Sequence, residues 1–116
     1  MINAGVIGFG YWGPNIFRNF NENPKIQVLK ICDISLDRLE EMKHIHPEIE
    51  LTDQVEDVVF DKNIDLIAIV TPVFSHFELA KKSLENGKHI FVEKPFTYTS
   101  DQAKQLIELA SKKNLI

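Results

Sequence analysis

Short apolar runs rich in β-branched residues alternate along the chain with longer segments whose apolar residues recur every three or four positions. The short runs fall at residues 4–8, 26–32, 49–51, 64–70 and 89–92, and their length and composition predict strands. Helices are predicted between and after them from Ile16, Phe17 and Phe20, from Leu36, Leu39 and Met42, and from Val55, Val58 and Val59. Two more follow from Phe77, Ala80 and Leu84, and from Ala103, Leu106, Ile107 and Ala110. The punctuation agrees. Pro14 suits a first helical turn, and Asn23-Pro24 breaks that helix. The second helix ends near His46-Pro47, and Thr52-Asp53 offers a cap to the third. Asn86-Gly87 offers a left-handed C-cap to the fourth, and Ser100 is placed to cap the last.

Such regular alternation means βαβ units with right-handed crossovers, hence an α/β fold built on a doubly wound parallel sheet. The nearly unbroken apolar run 64–70 predicts a strand buried on both faces. Asn114-Leu115-Ile116 reads as the opening of one more strand. Residues 1–116 are therefore expected to form one domain, truncated at the start of its sixth strand.

Composition narrows the function classes. A length of 116 residues suits a single domain, and 44% hydrophobic residues suit an ordinary core. The formal net charge of −4, with Lys and Arg scattered, argues against a nucleic-acid partner. No apolar run is long enough to span a bilayer, and no signal core follows Met1, so a cytoplasmic setting is expected. Cys32, the sole cysteine, fits that reducing compartment. His44 and His46 stand two apart beside Pro47, a poor spacing for a shared metal, and no metal site is assigned.

Gly8-Phe9-Gly10-Tyr11-Trp12-Gly13 has the form G-x-G-x-x-G. Alone the pattern is weak. Here it follows a predicted strand, opens a predicted helix, and precedes Asp33 by about twenty residues. Gly8 would allow the tight turn, Gly10 the approach of a pyrophosphate, and Gly13 the close packing of helix on strand. The helix start would offer free N–H groups and partial positive charge to phosphates. Asp33, at a strand end, could accept the adenosine ribose hydroxyls, and its charge favours NAD over NADP. Arg38 is near enough in sequence to soften that preference; its bland reading is a solvent-facing helix residue. Tyr11 and Trp12 either flank the nicotinamide or simply pack. Together these features predict a dinucleotide-binding Rossmann domain.

Two further segments fall at carboxyl ends of predicted strands, where ligands of open α/β sheets bind: Thr71-Pro72-Val73-Phe74-Ser75-His76 and Glu93-Lys94-Pro95-Phe96. The Lys94 ammonium could stabilise a developing oxyanion or relay the proton of a substrate hydroxyl. From spacing alone the surface-lysine reading is the stronger. His76 is a candidate for the cofactor site or for capping and packing. Ser75 has no paired base, which disfavours a nucleophilic hydrolase.

With the residues 5–13 (GVIGFGYWG), Asp33, Thr-Pro…His at 71–76, Ala80 and Glu-Lys-Pro-Phe at 93–96, the chain resembles the N-terminal domain of the Gfo/Idh/MocA oxidoreductases over essentially its whole length. The resemblance implies an NAD(P)-dependent dehydrogenase acting on a hydroxyl of a sugar, cyclitol or sugar nucleotide. The form of the loop from Gly10 to Asn15 is most similar to members acting on nucleotide-activated sugars. It implies a catalytic role for Lys94, and it adds Thr71, Pro72, His76, Glu93, Lys94 and Pro95 to the cofactor cleft, with a cis Lys94–Pro95 bond. Family enzymes continue into a substrate domain that also carries the oligomer interface. This polypeptide alone is expected to bind cofactor with little turnover, the complete protein to be a homo-oligomer.

Two rival readings stay open on the sequence. One is a non-catalytic NAD-binding regulatory module, which Lys94 disfavours. The other is an S-adenosylmethionine methyltransferase, disfavoured by the third glycine and the Glu-Lys-Pro turn.

Overall fold

The computed structural model describes every residue from Met1 to Ile116. Strands β1 (Ile2–Ile7), β2 (Ile26–Cys32), β3 (Glu50–Thr52), β4 (Leu66–Ile69) and β5 (His89–Val92) alternate with helices α1 (Gly13–Glu22), α2 (Leu36–Ile45), α3 (Glu56–Val59), α4 (His76–Glu85) and α5 (Ser100–Lys112). All four strand pairings are parallel, and the order across the sheet is β3-β2-β1-β4-β5. This is the expected doubly wound sheet. The chain leaves β1 toward β2 and β3, then returns to start β4 on the other side of β1. The switch point of the topology therefore lies between β1 and β4, where such sheets open a crevice at their carboxyl edge.

Side chains alternate across each strand, and β4 shows the consequence most clearly. Ala68 joins Ala4, Val6, Val28, Ile31, Phe17, Phe20 and Met42 in the layer beneath α1 and α2. Ile67 and Ile69 join Val58, Val59, Ala80, Leu84 and Leu106 in the opposite layer, beneath α3, α4 and α5. Each fully buried Ile or Leu contributes roughly 1.5–3 kcal/mol relative to its exposed form. That is why the strand within 64–70, Leu66–Ile69, is apolar throughout. No helix is long and apolar enough to cross a membrane.

The structure corrects four local expectations. The hydroxyl that caps α5 is that of Thr99, which accepts from Gln102 N at 3.2 Å; Ser100 is the first helical residue. Thr52 does not cap α3, whose preceding residue is Val55. Its Oγ1 accepts from Gln54 N at 3.0 Å and holds the turn before that helix. Leu36 and Ile107, both assigned to apolar faces, are 66% and 61% exposed. The residues 114–116 form no regular strand, but Ile116 O accepts from Ile90 N at 2.9 Å, one backbone bond laid against the free edge of β5.

Candidate cofactor-binding site

The turn after β1 is set by Gly8. Its φ of 94° lies in the region that side chains avoid, and an added Cβ would stand 2.8 Å from the backbone of Val70. Two backbone bonds hold this crossing in place, Gly8 N to Cys32 O and Val70 N to Ile7 O, both at 2.8 Å. At Gly13 a Cβ would meet Gly8 O at 3.1 Å and the Phe9 ring at 3.2 Å, so α1 starts hard against the end of β1. Above Gly10 the space is open except for the Arg38 guanidinium, 3.7 Å from the added Cβ. The amides of Gly10, Tyr11, Trp12, Gly13 and Asn15 donate to no protein acceptor. Unpaired amides at a helix start, beneath a surface that only glycine leaves clear, fit a pyrophosphate.

Asp33 is 5% exposed, immediately beyond β2. Its Oδ2 accepts from Phe9 N at 2.6 Å and its Oδ1 from Ser35 N at 2.8 Å. The carboxylate thus ties the glycine loop to the start of α2, whose N-cap is Ser35. The Arg38 guanidinium, half exposed, stands 3.5 Å from Asp33 Oδ2. Arg38 therefore sits over both Gly10 and Asp33. One residue earlier, the Cys32 thiol is pushed up to about 11 by burial and, secondarily, by the Asp33 charge, so it is a protonated packing group.

Beyond β4, Ser75 Oγ donates to one of two nearby acceptors, Thr71 Oγ1 at 2.6 Å and Pro72 O at 2.7 Å. His76 is 1% exposed and reaches across to the turn after β5. In that turn the Lys94–Pro95 bond is cis, as the resemblance implies, and Glu93 Oε1 accepts from Lys94 N at 3.1 Å. The Lys94 side chain is exposed and takes part in no hydrogen bond or ion pair.

The predicted residues therefore gather in two groups on one edge of the sheet. Gly8, Gly10, Tyr11, Trp12, Gly13, Asp33 and Arg38 form one. Thr71, Pro72, His76, Glu93, Lys94 and Pro95 form the other, and the Thr71 methyl meets the first group at Gly8. Tyr11 and Trp12 pack edge to face on each other, ring centres 5.1 Å apart, and both remain exposed. The residue reading missed the exposed apolar side chains on this same edge, Ile34, Leu36, Phe74 and Tyr98. Their signal was available: each lies in or next to a loop that follows a strand, where no core can cover it. A site for a ligand with apolar rings would use them.

A family model described as an oxidoreductase family with an NAD-binding Rossmann fold matches residues 2–116. The chain belongs to the Gfo/Idh/MocA oxidoreductases. Among its relatives is the uncharacterized oxidoreductase YdgJ of Escherichia coli, 38% identical over 109 residues, covering 94% of this chain and 31% of that protein. Another is IolW of Bacillus subtilis, named scyllo-inositol 2-dehydrogenase (NADP(+)), 30% identical and covering 99% of this chain and 32% of that protein. The crystal structure of a putative oxidoreductase from Bacteroides fragilis superposes with a TM-score of 0.92 at 37% identity, over 100% of this chain and 35% of that one. The chain thus spans about a third of these Gfo/Idh/MocA relatives.

Proposed function

We propose that this chain is the cofactor-binding domain of a dehydrogenase that moves a hydride between nicotinamide and a hydroxyl of a sugar, cyclitol or sugar nucleotide. The observation that carries the reading is the run of unpaired amides at Gly10, Tyr11, Trp12, Gly13 and Asn15, beside the open face of Gly10. Those amides bind the pyrophosphate. Asp33 orders the loop that presents them and faces the adenosine ribose. Its negative charge makes NAD the preferred cofactor, and Arg38 reduces the margin over NADP. IolW carries NADP(+) in its name, so the choice of NAD rests on Asp33 alone.

When bound, the nicotinamide supplies the hydride acceptor or donor. Lys94 is the catalytic residue: its free ammonium holds or relays the proton of the substrate hydroxyl. The cyclitol or sugar class is supported by the name of IolW and by the hydroxyl chemistry that an unpaired ammonium suits. The polypeptide of 116 residues is expected to bind cofactor without appreciable turnover. Calorimetric titration with NADH and, separately, NADPH tests this. Tighter binding of NADH supports the reading; tighter binding of NADPH overturns the role of Asp33, and binding of neither overturns the site.

A further inference from the structure

His76 opens α4, and its two ring nitrogens point at carbonyls of two different turns. Nε2 lies 2.7 Å from Thr71 O, in the turn after β4. Nδ1 lies 2.9 Å from Pro95 O and 3.2 Å from Phe96 O, in the turn after β5. A carbonyl oxygen only accepts, so each contact needs a proton on the nitrogen that makes it. A neutral ring carries one proton. It closes one end and sets a lone pair against a lone pair at the other, inside a site that is 1% exposed. Either tautomer spans the gap between the two turns and donates to one of them.

No carboxylate or ammonium bonds to the ring, so its partners are peptide dipoles alone. The charged groups on the elements around it are Glu93 and Lys94 on the turn, Glu78, Lys81, Lys82 and Glu85 on α4 itself, and Asp101, Lys104, Glu108 and Lys112 on α5; β4 brings none. Glu93 is already occupied with Lys94 N. The Lys94 ammonium has no partner to hold it, so the location of its reach depends on where the turn's backbone is fixed. His76 is the side chain that fixes that backbone to the neighbouring strand end.

We propose that His76 is a positioning residue whose ring, set between Thr71 O and Pro95 O, fixes the Lys94 turn against the Thr71 turn. What the clamp positions rests on the proposed function; the clamp itself belongs to the free chain. Misplacement of a reacting group by about 1 Å costs on the order of a hundredfold in rate, which gives such a clamp its value.

Nitrogen NMR of the chain, labelled in its histidine rings, reads the protons directly. The expected result is a slowly exchanging His76 ring hydrogen bonded to a carbonyl of one of the two turns; a ring hydrogen that exchanges as freely as that of an exposed histidine overturns the proposal. The His76→Leu chain should show both turns displaced and NADH binding weakened by roughly tenfold. Unchanged turns and unchanged affinity count against the clamp. If His76→Leu does not fold, the ring measurement on the unaltered chain decides. If the unaltered chain binds neither dinucleotide, the proposed function fails, and the ring signals still judge the clamp.

Discussion

Replacing Asp33 by Asn keeps the shape of the side chain and removes one of its two acceptors. The two carboxylate oxygens take two different backbone amides, Phe9 N and Ser35 N, at 2.6 and 2.8 Å. An Asn amide has one oxygen. Whichever way it is turned, its NH2 group points at a backbone N–H, and one donor is left unpaired in a site that is 5% exposed. A hydrogen bond to a charged acceptor is worth about 1.5–3 kcal/mol. Replacement by Asn should therefore cost about 2 kcal/mol. With a urea slope of roughly 1–3 kcal/mol per molar, the unfolding midpoint followed by circular dichroism should fall by about 1 M. NADH affinity should fall with it, because the amide released at Phe9 belongs to the loop that presents the phosphate site. A midpoint within ~0.2 M of the unaltered chain would refute the reasoning, since the two amides would then have found other acceptors at little cost.

Three further outcomes are expected. Arg38→Glu removes the one cation beside Gly10 and Asp33, and should raise the preference for NADH over NADPH by about tenfold in competitive titration. Where the proposed dehydrogenase activity is assayed, Lys94→Met should lower kcat by about 10²–10⁴. In this chain the same change should leave NADH affinity within about threefold, because no bond of the fold depends on the ammonium. The Lys30–Asp61 ion pair, 2.9 Å long with both side chains 15% exposed, should shape the pH profile of stability. Lys30 holds Asp61 below its ordinary 3.8, so that contribution is present above pH 3.8 and is lost as pH falls through the lowered folded value. Asp61→Asn should remove that part of the acid loss and cost about 1 kcal/mol at neutral pH, read from urea midpoints across the acid range.

The sheet was legible because burial on both faces of a parallel strand demands an apolar run, as in β4, and because the apolar-rich stretches 26–32 and 89–92 coincide with β2 and β5. The glycine loop was legible because the positive φ and backbone crowding at Gly8 leave no room for a Cβ and the contacts at Gly13 are tight, constraints that a sequence records directly. Finer choices were not. Thr99 and Ser100 carry the same capping hydroxyl in adjacent positions, and only the backbone decides between them. Leu36 fails as a core residue because it stands at the first turn of α2, overhanging the sheet edge. Ile107 fails because α5 is an outer helix, whose buried stripe narrows to Leu106, Leu109 and Ala110. His76 lies nineteen residues from the carbonyl it meets at Pro95, a partnership between loops that no local spacing records.

Cys32 carries a consequence of a different kind. It is the only thiol, 2% exposed, and protonated at neutral pH. Its sulfur lies in the layer with Ile7, Val58 and Val59, while its carbonyl accepts from Gly8 N at the glycine turn. A thiol-directed reagent can reach it only after that layer opens. The chain therefore carries a clock of its own breathing. Its rate of alkylation counts openings of that layer, and any ligand that binds only the closed chain should slow the count as its occupancy rises.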